Sequence, residues 1–309
     1  MEQLDNSSVY HARKINQTNW TIEKSAQIIN QYIENIYTLV PKSIQSEIFF
    51  FIHKYINIDD QSKFDFLQHF KKPTWTVVHH LCNKHISNNT DKDLIFTHAL
   101  YAQGLSLFLH TLDDHLCDGD LPIDHVMLIF RNAVWNDFIR NVEILEDLLN
   151  VKSSIRIQNI DRYSYGASIH ENTQSFGEYI YAFQLTMKLG TIVSHIIMTY
   201  AKCSSSEIHD ILDSLYSYGC AWRILDDIDD LSQDILNNKF TAPYFLLNME
   251  EREKWFPANS ISFTKEIVRS PILNELFSYI NVFTNFSVNI AQSYNLESLA
   301  DEYSCIIKD

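Results

Sequence analysis

Two clusters of aspartates are the residues in this sequence whose types and spacing suggest chemistry. The clusters are Asp113, Asp114 and Asp118, and Asp226, Asp227 and Asp230. Carboxylates four positions apart lie on one face of a helix, where their repulsion opposes the helix. With no Cys and His ligand set beside them, these carboxylates suit a hard divalent cation, and Mg²⁺ is the usual one when the partner is a phosphate. For a single pair of aspartates, the alternative to a metal site is an acidic helix end that water solvates. Two clusters, each following an apolar helical stretch, favour a metal site.

The segments that must position these aspartates have the pattern of helices. From Ile22 to Val40 the apolar residues recur at alternating steps of four and three, and Pro41 ends the run. Similar runs occur at 44–57, 74–86, 92–116, 124–149, 174–202, 206–236, 240–250 and 271–296. Only six Gly and six Pro occur in 309 residues, which disfavours a fold with many turns. We expect an all-α fold, with a polar arm at 1–20 and one domain of about ten helices at 21–309 around a central cavity.

Charge and cysteine usage restrict the class of protein. The chain has 24 Lys and Arg against 39 Asp and Glu, a formal net charge of −15, which argues against a partner nucleic acid. Five widely spaced cysteines are not a disulfide framework, so reduced thiols and a cytoplasmic location are expected. The N-terminus lacks the apolar core of a secretory signal, and no apolar run is long enough to predict a transmembrane segment.

Three motifs in order give the sequence a family resemblance. Residues 218–230 (YGCAWRILDDIDD) and 239–243 (KFTAP) resemble the second aspartate-rich helix and its following turn in the trans-isoprenyl diphosphate synthase and class I terpene synthase superfamily. The first cluster resembles the first aspartate-rich motif of that superfamily in its wider spacing. Residues 187–193 (MKLGTIV) resemble the helix that contributes a diphosphate-binding lysine. The resemblance covers about residues 95–250.

The resemblance implies a substrate, a cofactor and the residues that bind them. The six clustered aspartates would carry catalysis by binding Mg²⁺, three ions in the superfamily, which bridge to the diphosphate of an allylic prenyl substrate. Lys188 and Lys239 would hold the same diphosphate, and Arg223, which replaces a glutamine of the superfamily, could reach it. The aromatic residues Phe108, Phe183 and Trp222 would stabilise the carbocation. Members of the superfamily are commonly homodimers, so a homodimer is expected.

The sequence departs from the chain-elongating members where they bind isopentenyl diphosphate. Their early basic motif is reduced to residues 71–73 (KKP), and no arginine occurs at 119–125. These departures favour a class I terpene synthase that ionises an allylic diphosphate of C10 to C20 and forms a cyclic or linear terpene. In the chain-elongating members a bulky residue five positions before the first aspartate shortens the cavity, so the resemblance implies this chain length from Phe108. The alternatives are a prenyltransferase that uses isopentenyl diphosphate or another acceptor, and a non-catalytic helical partner subunit.

Overall fold

The computed structural model describes residues 20–56, 64–70, 74–86, 89–151, 154–170 and 172–306. These residues contain no strand, which confirms the all-α class. Residues 1–19 of the expected polar arm lie outside the described residues, and the first described helix begins at Trp20. In chain order the helices are α1 Trp20–Glu34, α2 Gln45–Tyr55, α3 Phe66–His69, α4 Thr76–His85, α5 Lys92–Cys117, α6 His125–Leu148, α7 Ile155–His170, α8 Phe176–Thr186, α9 Ile192–Tyr200, α10 Ser205–Asp229, α11 Leu231–Asn237, α12 Ala242–Leu246, α13 Met249–Arg252, α14 Ser260–Val268, α15 Pro271–Ser293 and α16 Glu297–Ser304.

The described part of the chain has sixteen α-helices where the periodicity predicted about ten. Short 3-10 helices also occur, at Ile36–Leu39, Leu189–Thr191 and Pro257–Asn259. Helices α3, α11, α12 and α13 have seven residues or fewer, too few for an apolar repeat to be visible. The longer helix α7 also escaped prediction, because its buried positions are Ile155, Asn159, Tyr163 and Gly166, and only one of these is aliphatic.

The longest helices carry the aspartate clusters. Helix α5 has 26 residues and α10 has 25, and each ends within or beside a cluster. Helices α6 and α15, with 24 and 23 residues, are of similar length. Among the described residues no single helix is both long and apolar enough to cross a bilayer, although α8 and α9 meet that test when they are taken together.

The chain divides into two compact units, which we describe separately. The N-terminal unit comprises the described residues of 20–159 and 189–208, and the C-terminal unit those of 160–188 and 209–306. The expectation of one domain over 21–309 stays a prediction.

Helix α5 is the central element of the N-terminal unit. It packs against α1 and α6, and α4 packs against α9. Because α5 is buried along most of its length, its sequence is apolar nearly all round rather than on one face. The helix approaches α1 closely at Gly104, where a Cβ atom would lie 2.8 Å from Cγ2 of Ile29. The Asp124 side chain caps the next helix, α6, by accepting from the N–H of Met127.

The C-terminal unit is built around the second half of α10. Its core joins α10 to α8, α11, α12, α14 and α15, with Tyr179, Ile224 and Leu276 fully buried in it. Polar residues set the helix starts: Ser175 caps α8, and Ser270 caps α15, whose first residue is Pro271. The last turn of α10 is therefore held from several sides, and this turn carries the second aspartate cluster.

Candidate functional site

The first cluster lies at the C-terminal end of α5. Asp113 and Asp114 are in its last turns, and Asp118 follows its last residue, with its N–H bonded to the carbonyl of Asp114. Asp114 and Asp118 are exposed, whereas the Asp113 side chain is only 12% exposed. The C-terminal end of a helix carries partial negative charge, so carboxylates there gain from a nearby cation.

Arg131 on α6 supplies that cation to Asp113. Its Nε donates to Oδ1 of Asp113 at 2.5 Å and its Nη2 donates to Oδ2 at 2.8 Å. This two-pronged geometry is the strongest form of the arginine–carboxylate pair. The guanidinium also lies 5.7 Å from the ring of Trp135. Sequence reasoning missed Arg131, because no spacing in the sequence relates it to the cluster.

A tyrosine and a histidine adjoin the first cluster. The Tyr55 hydroxyl lies 2.7 Å from Nδ1 of His115. Burial raises the pKa of Tyr55, and the negative charges of Asp114 and Asp120 raise it further. The hydroxyl therefore stays protonated at all physiological pH values, and its proton remains available for a hydrogen bond.

Phe108 lies in the core of the N-terminal unit. Its side chain is fully buried, and its ring packs against those of Tyr55, Phe66 and Phe130 at centroid distances of 6.4, 5.6 and 6.0 Å. The edge-on and tilted contacts are the favoured geometries of aromatic pairs. Substitution of Phe108 by a small residue would therefore open space within this aromatic cluster.

The second cluster lies at the C-terminal end of α10. Asp226 is half-buried, Asp230 is exposed, and Asp227 is 2% exposed. The predicted single helix 206–236 is interrupted at Asp230, where α10 ends and α11 begins. Asp234, on α11, is buried and accepts a hydrogen bond from the Thr241 hydroxyl at 3.0 Å. Asp226, Asp230 and Asp234, which follow one another at steps of four in the sequence, thus have different surroundings.

Asp227 is surrounded by hydrogen-bond donors. Its Oδ2 accepts from the Tyr179 hydroxyl at 2.7 Å and from the N–H of Ala242 at 3.0 Å, and its Oδ1 lies 3.0 Å from Nε of Arg223. Arg223 Nε also donates to the Tyr179 oxygen at 2.9 Å. Burial raises the pKa of Asp227, and the positive charge of Arg223 opposes that shift. Sequence reasoning missed Tyr179, since tyrosines are common on helices and nothing marks this one.

The turn after α11 explains why the motif at 239–243 accompanies the cluster. It brings the N–H of Ala242 to Asp227 and the hydroxyl of Thr241 to Asp234. Burial, followed by the charge of Asp227, raises the pKa of Asp234 to about 7. The backbone of Lys239 is held at both ends, its N–H by the carbonyl of Asp234 and its carbonyl by Nε1 of Trp255.

Lys188, which lies between α8 and α9, contacts α10 at Tyr216. Its ammonium nitrogen is 3.7 Å from the centroid of the Tyr216 ring. Tyr216 precedes Asp226 by ten residues on α10, about 15 Å along the helix axis. Burial, with the charge of Arg162, lowers the pKa of Lys188 to about 8. Arg223 lies directly at the second cluster, with Nη1 3.7 Å from Oδ2 of Asp226 and Nε 3.0 Å from Oδ1 of Asp227.

The expected aromatic residues of the C-terminal unit differ in their surroundings. The Phe183 ring centroid lies 6.0 Å from the guanidinium carbon of Arg223, so this aromatic side chain adjoins the cluster. Trp222, the neighbour of Arg223 on α10, is half-buried.

The carboxylates fit Mg²⁺ unequally. No group of three or more Cys, His, Asp or Glu side chains able to hold a metal occurs among the described residues. Arg131 and Arg223 engage the least exposed aspartate of each cluster. The exposed pair Asp114 and Asp118, one helical turn apart, does fit Mg²⁺, which commonly takes one or two protein carboxylates and completes its shell with phosphate and water.

Two solved structures resemble this chain over nearly its full length. Geranylgeranyl pyrophosphate synthetase from Pyrococcus horikoshii Ot3 matches with a TM-score of 0.68 at 13% identity, over 93% of this chain and 99% of that one. Polyprenyl synthase from Caulobacter crescentus CB15, complexed with calcium and isoprenyl diphosphate, matches with a TM-score of 0.65 at 14% identity, over 96% and 97%. No protein-family model and no curated protein matches the chain. The chain therefore has the fold of the trans-isoprenyl diphosphate synthase superfamily, as its motifs predicted.

Proposed function

We propose that this protein is a prenyltransferase that acts on an allylic prenyl diphosphate. The observation that supports the proposal is the match over 93% and 96% of the chain to two structures that are themselves prenyl synthases. The sequence favoured a terpene synthase, and these neighbours favour its alternative, transfer of the prenyl group to isopentenyl diphosphate or another acceptor. An allylic chain of C10 to C20 stays part of the proposal.

The charged residues are assigned to binding of the diphosphate, the aspartates through Mg²⁺ and Arg223 directly. Asp114 and Asp118 would hold Mg²⁺ in one cluster, and Asp226 and Asp230 form a second pair at the same spacing. When bound, Mg²⁺ supplies positive charge that stabilises the departing diphosphate. Arg223 adds a charged N–H donor that belongs to the chain itself.

The remaining expected residues keep their proposed roles. Lys188 and Lys239 are assigned to the diphosphate, and the aromatic rings of Phe183 and Trp222 to the allylic cation. Phe108 is assigned to the limit on chain length. Replacing Phe108 with Ala should then shift the preferred substrate or product to a longer chain, which product analysis by mass spectrometry would detect.

The test is product analysis with defined substrates. The protein is incubated with Mg²⁺ and geranyl, farnesyl or geranylgeranyl diphosphate, each with and without isopentenyl diphosphate. Diphosphate release and the organic products are then measured. A longer prenyl diphosphate formed only with isopentenyl diphosphate supports the proposal. Asp114→Asn should abolish turnover, while Asp93→Asn, which removes the same charge at the exposed start of α5, should not.

The terpene synthase remains the second candidate, because no arginine follows the first cluster at 119–125. The basic residues of 71–73, which would have to hold a second diphosphate, lie outside the described residues. Diphosphate release without isopentenyl diphosphate, together with a volatile terpene, would favour this candidate. No release under any of these conditions would contradict the terpene synthase and the use of isopentenyl diphosphate, and would leave a prenyltransferase with another acceptor or a non-catalytic partner subunit.

A further inference from the structure

Three side chains of the C-terminal unit form a closed ring of two hydrogen bonds and one ion pair. Arg223 Nε lies 2.9 Å from the Tyr179 oxygen and 3.0 Å from Oδ1 of Asp227. The Tyr179 hydroxyl closes the ring by donating to Oδ2 of Asp227 at 2.7 Å. A guanidinium is planar and carries five N–H donors, so holding its Nε edge fixes the plane of its Nη donors. The ring therefore sets the direction in which Arg223 presents its charge.

The three side chains of the ring differ in how much of their surface is exposed. Tyr179 is fully buried and the Asp227 side chain is 2% exposed, whereas the Arg223 side chain keeps 23% of its surface exposed. Arg223 is therefore the member of the ring that meets solvent. Its Nη1 lies 3.7 Å from Oδ2 of the half-buried Asp226, which is beyond hydrogen-bond length.

The same geometry makes Asp227 a poor ligand for a divalent cation. Its Oδ2 accepts two hydrogen bonds, from Tyr179 and from the N–H of Ala242, and its Oδ1 faces the positive charge of Arg223. A cation bound to Asp227 would have to displace these buried donors and approach the guanidinium closely. Leaving buried donors without acceptors and bringing like charges together are both unfavourable.

We infer that Asp227 and Tyr179 are positioning residues that hold Arg223 so that its guanidinium binds the substrate diphosphate, and that Asp227 is not a metal ligand. This inference rests on the proposed function and adds to it that the aspartates of the second cluster have different roles. Guanidinium groups suit phosphate because two parallel N–H donors match two phosphate oxygens. Tyr179 then acts on the diphosphate only through Arg223.

The first test is the affinity for inorganic diphosphate, measured by calorimetry with Mn²⁺ present. Arg223→Gln should weaken binding by about 10- to 100-fold, as expected for a lost charged hydrogen bond. Tyr179→Phe should weaken it by about 3- to 10-fold, as expected for a misplaced donor. In the Arg223→Gln background, Tyr179→Phe should cause no further loss. A further loss there would mean that Tyr179 has a merely structural role.

Two control variants make the same chemical changes, Tyr to Phe and Arg to Gln, at exposed positions. Tyr181→Phe removes an exposed hydroxyl from the same helix, α8, and Arg269→Gln removes an exposed guanidinium from the same unit. Both should bind inorganic diphosphate as the wild type does. Circular dichroism of every variant should match the wild type, so that a change in affinity is not a change in fold.

The second test counts bound Mn²⁺ by electron paramagnetic resonance with saturating inorganic diphosphate. Asp227→Asn should bind as many ions as the wild type, and a smaller number would overturn the inference. If the wild type binds diphosphate but Arg223→Gln and Tyr179→Phe bind it equally well, the inference alone fails. If the wild type binds neither diphosphate nor Mn²⁺, the proposed function fails with it.

Discussion

Asp113 and Arg131 form a pair in which both carboxylate oxygens accept an N–H, at 2.5 and 2.8 Å. The Asp113 side chain is 12% exposed, so water replaces little of its interaction if Arg131 is lost. The pair also neutralises one of three carboxylates at the negative end of α5. At the scale of single residues, the least exposed aspartate of each cluster is the one that pairs with an arginine.

Arg131→Gln should lower the free energy of unfolding by about 1–3 kcal/mol, because it leaves Asp113 without its charged partner. Asp113→Asn should cost a similar amount. The double variant should lose less than the sum of the two, since neither charge is then left unpaired. Urea denaturation of the four proteins measures this coupling, and strictly additive losses would contradict it.

His79 gives a prediction of pH dependence. It is buried between Ser25 and Asn83, whose Nδ2 lies 2.8 Å from Nε2, while the Ser25 hydroxyl lies 2.9 Å from Nδ1. Burial, with the charge of His80, lowers the pKa of His79 to about 4. Below its ordinary pKa of about 6.5 the unfolded chain binds a proton that the folded chain does not bind until about pH 4.

The free energy of unfolding should therefore fall as the pH decreases from about 6.5 to 4, with up to about 3 kcal/mol contributed by His79. His79→Gln should remove this part of the slope. His125→Gln, at the exposed start of α6, is the control variant for the loss of an imidazole. Urea denaturation at several pH values gives the slopes, and equal slopes for wild type and His79→Gln would exclude the assignment.

At the scale of elements, two glycines on neighbouring helices of the C-terminal unit have opposite surroundings. A Cβ at Gly166 on α7 would lie 2.6 Å from Cβ of Leu185 and 2.9 Å from the backbone nitrogen of Thr186. A Cβ at Gly177 on α8 would meet nothing within 4 Å. Gly166 thus allows α7 and α8 to approach each other, whereas Gly177 serves no such purpose.

Gly166→Ala should destabilise the protein by about 1–3 kcal/mol, because the backbone of α8 has to move. Gly177→Ala should instead stabilise it by up to about 1 kcal/mol, because alanine loses less conformational freedom in a helix. Thermal denaturation of the two variants should therefore show shifts of opposite sign. Shifts of the same sign would mean that the approach of α7 to α8 is not limited by Gly166.

At the scale of the whole molecule, the superfamily resemblance implies a homodimer. Light scattering after size-exclusion chromatography should then give about 72 kDa, twice the 36.2 kDa of one chain. A mass of about 36 kDa would contradict the expectation. The net charge of −15 favours long-range repulsion between chains, so the measurement needs physiological ionic strength, at which exposed charges are screened beyond about 8 Å.

The sequence by itself determined the class of fold and the position of the clusters along it. Apolar periodicity and the scarcity of Gly and Pro are local properties, and they predicted long helices at 92–116 and 206–236, which contain Asp113 and Asp227. The number of helices was underestimated, since α7 buries mostly polar or small residues and several others are single turns. The three motifs in order predicted the superfamily fold, which the structural neighbours confirm.

Only the tertiary structure decided what surrounds each aspartate. Arg131 is 18 positions from Asp113, and Tyr179 is 48 positions from Asp227, so no local spacing relates these partners. The six aspartates are chemically identical in the sequence, yet packing gives them different exposure and different partners. These differences arise because electrostatic interactions depend on distance through space and on exclusion of water, and both are set only when the helices pack.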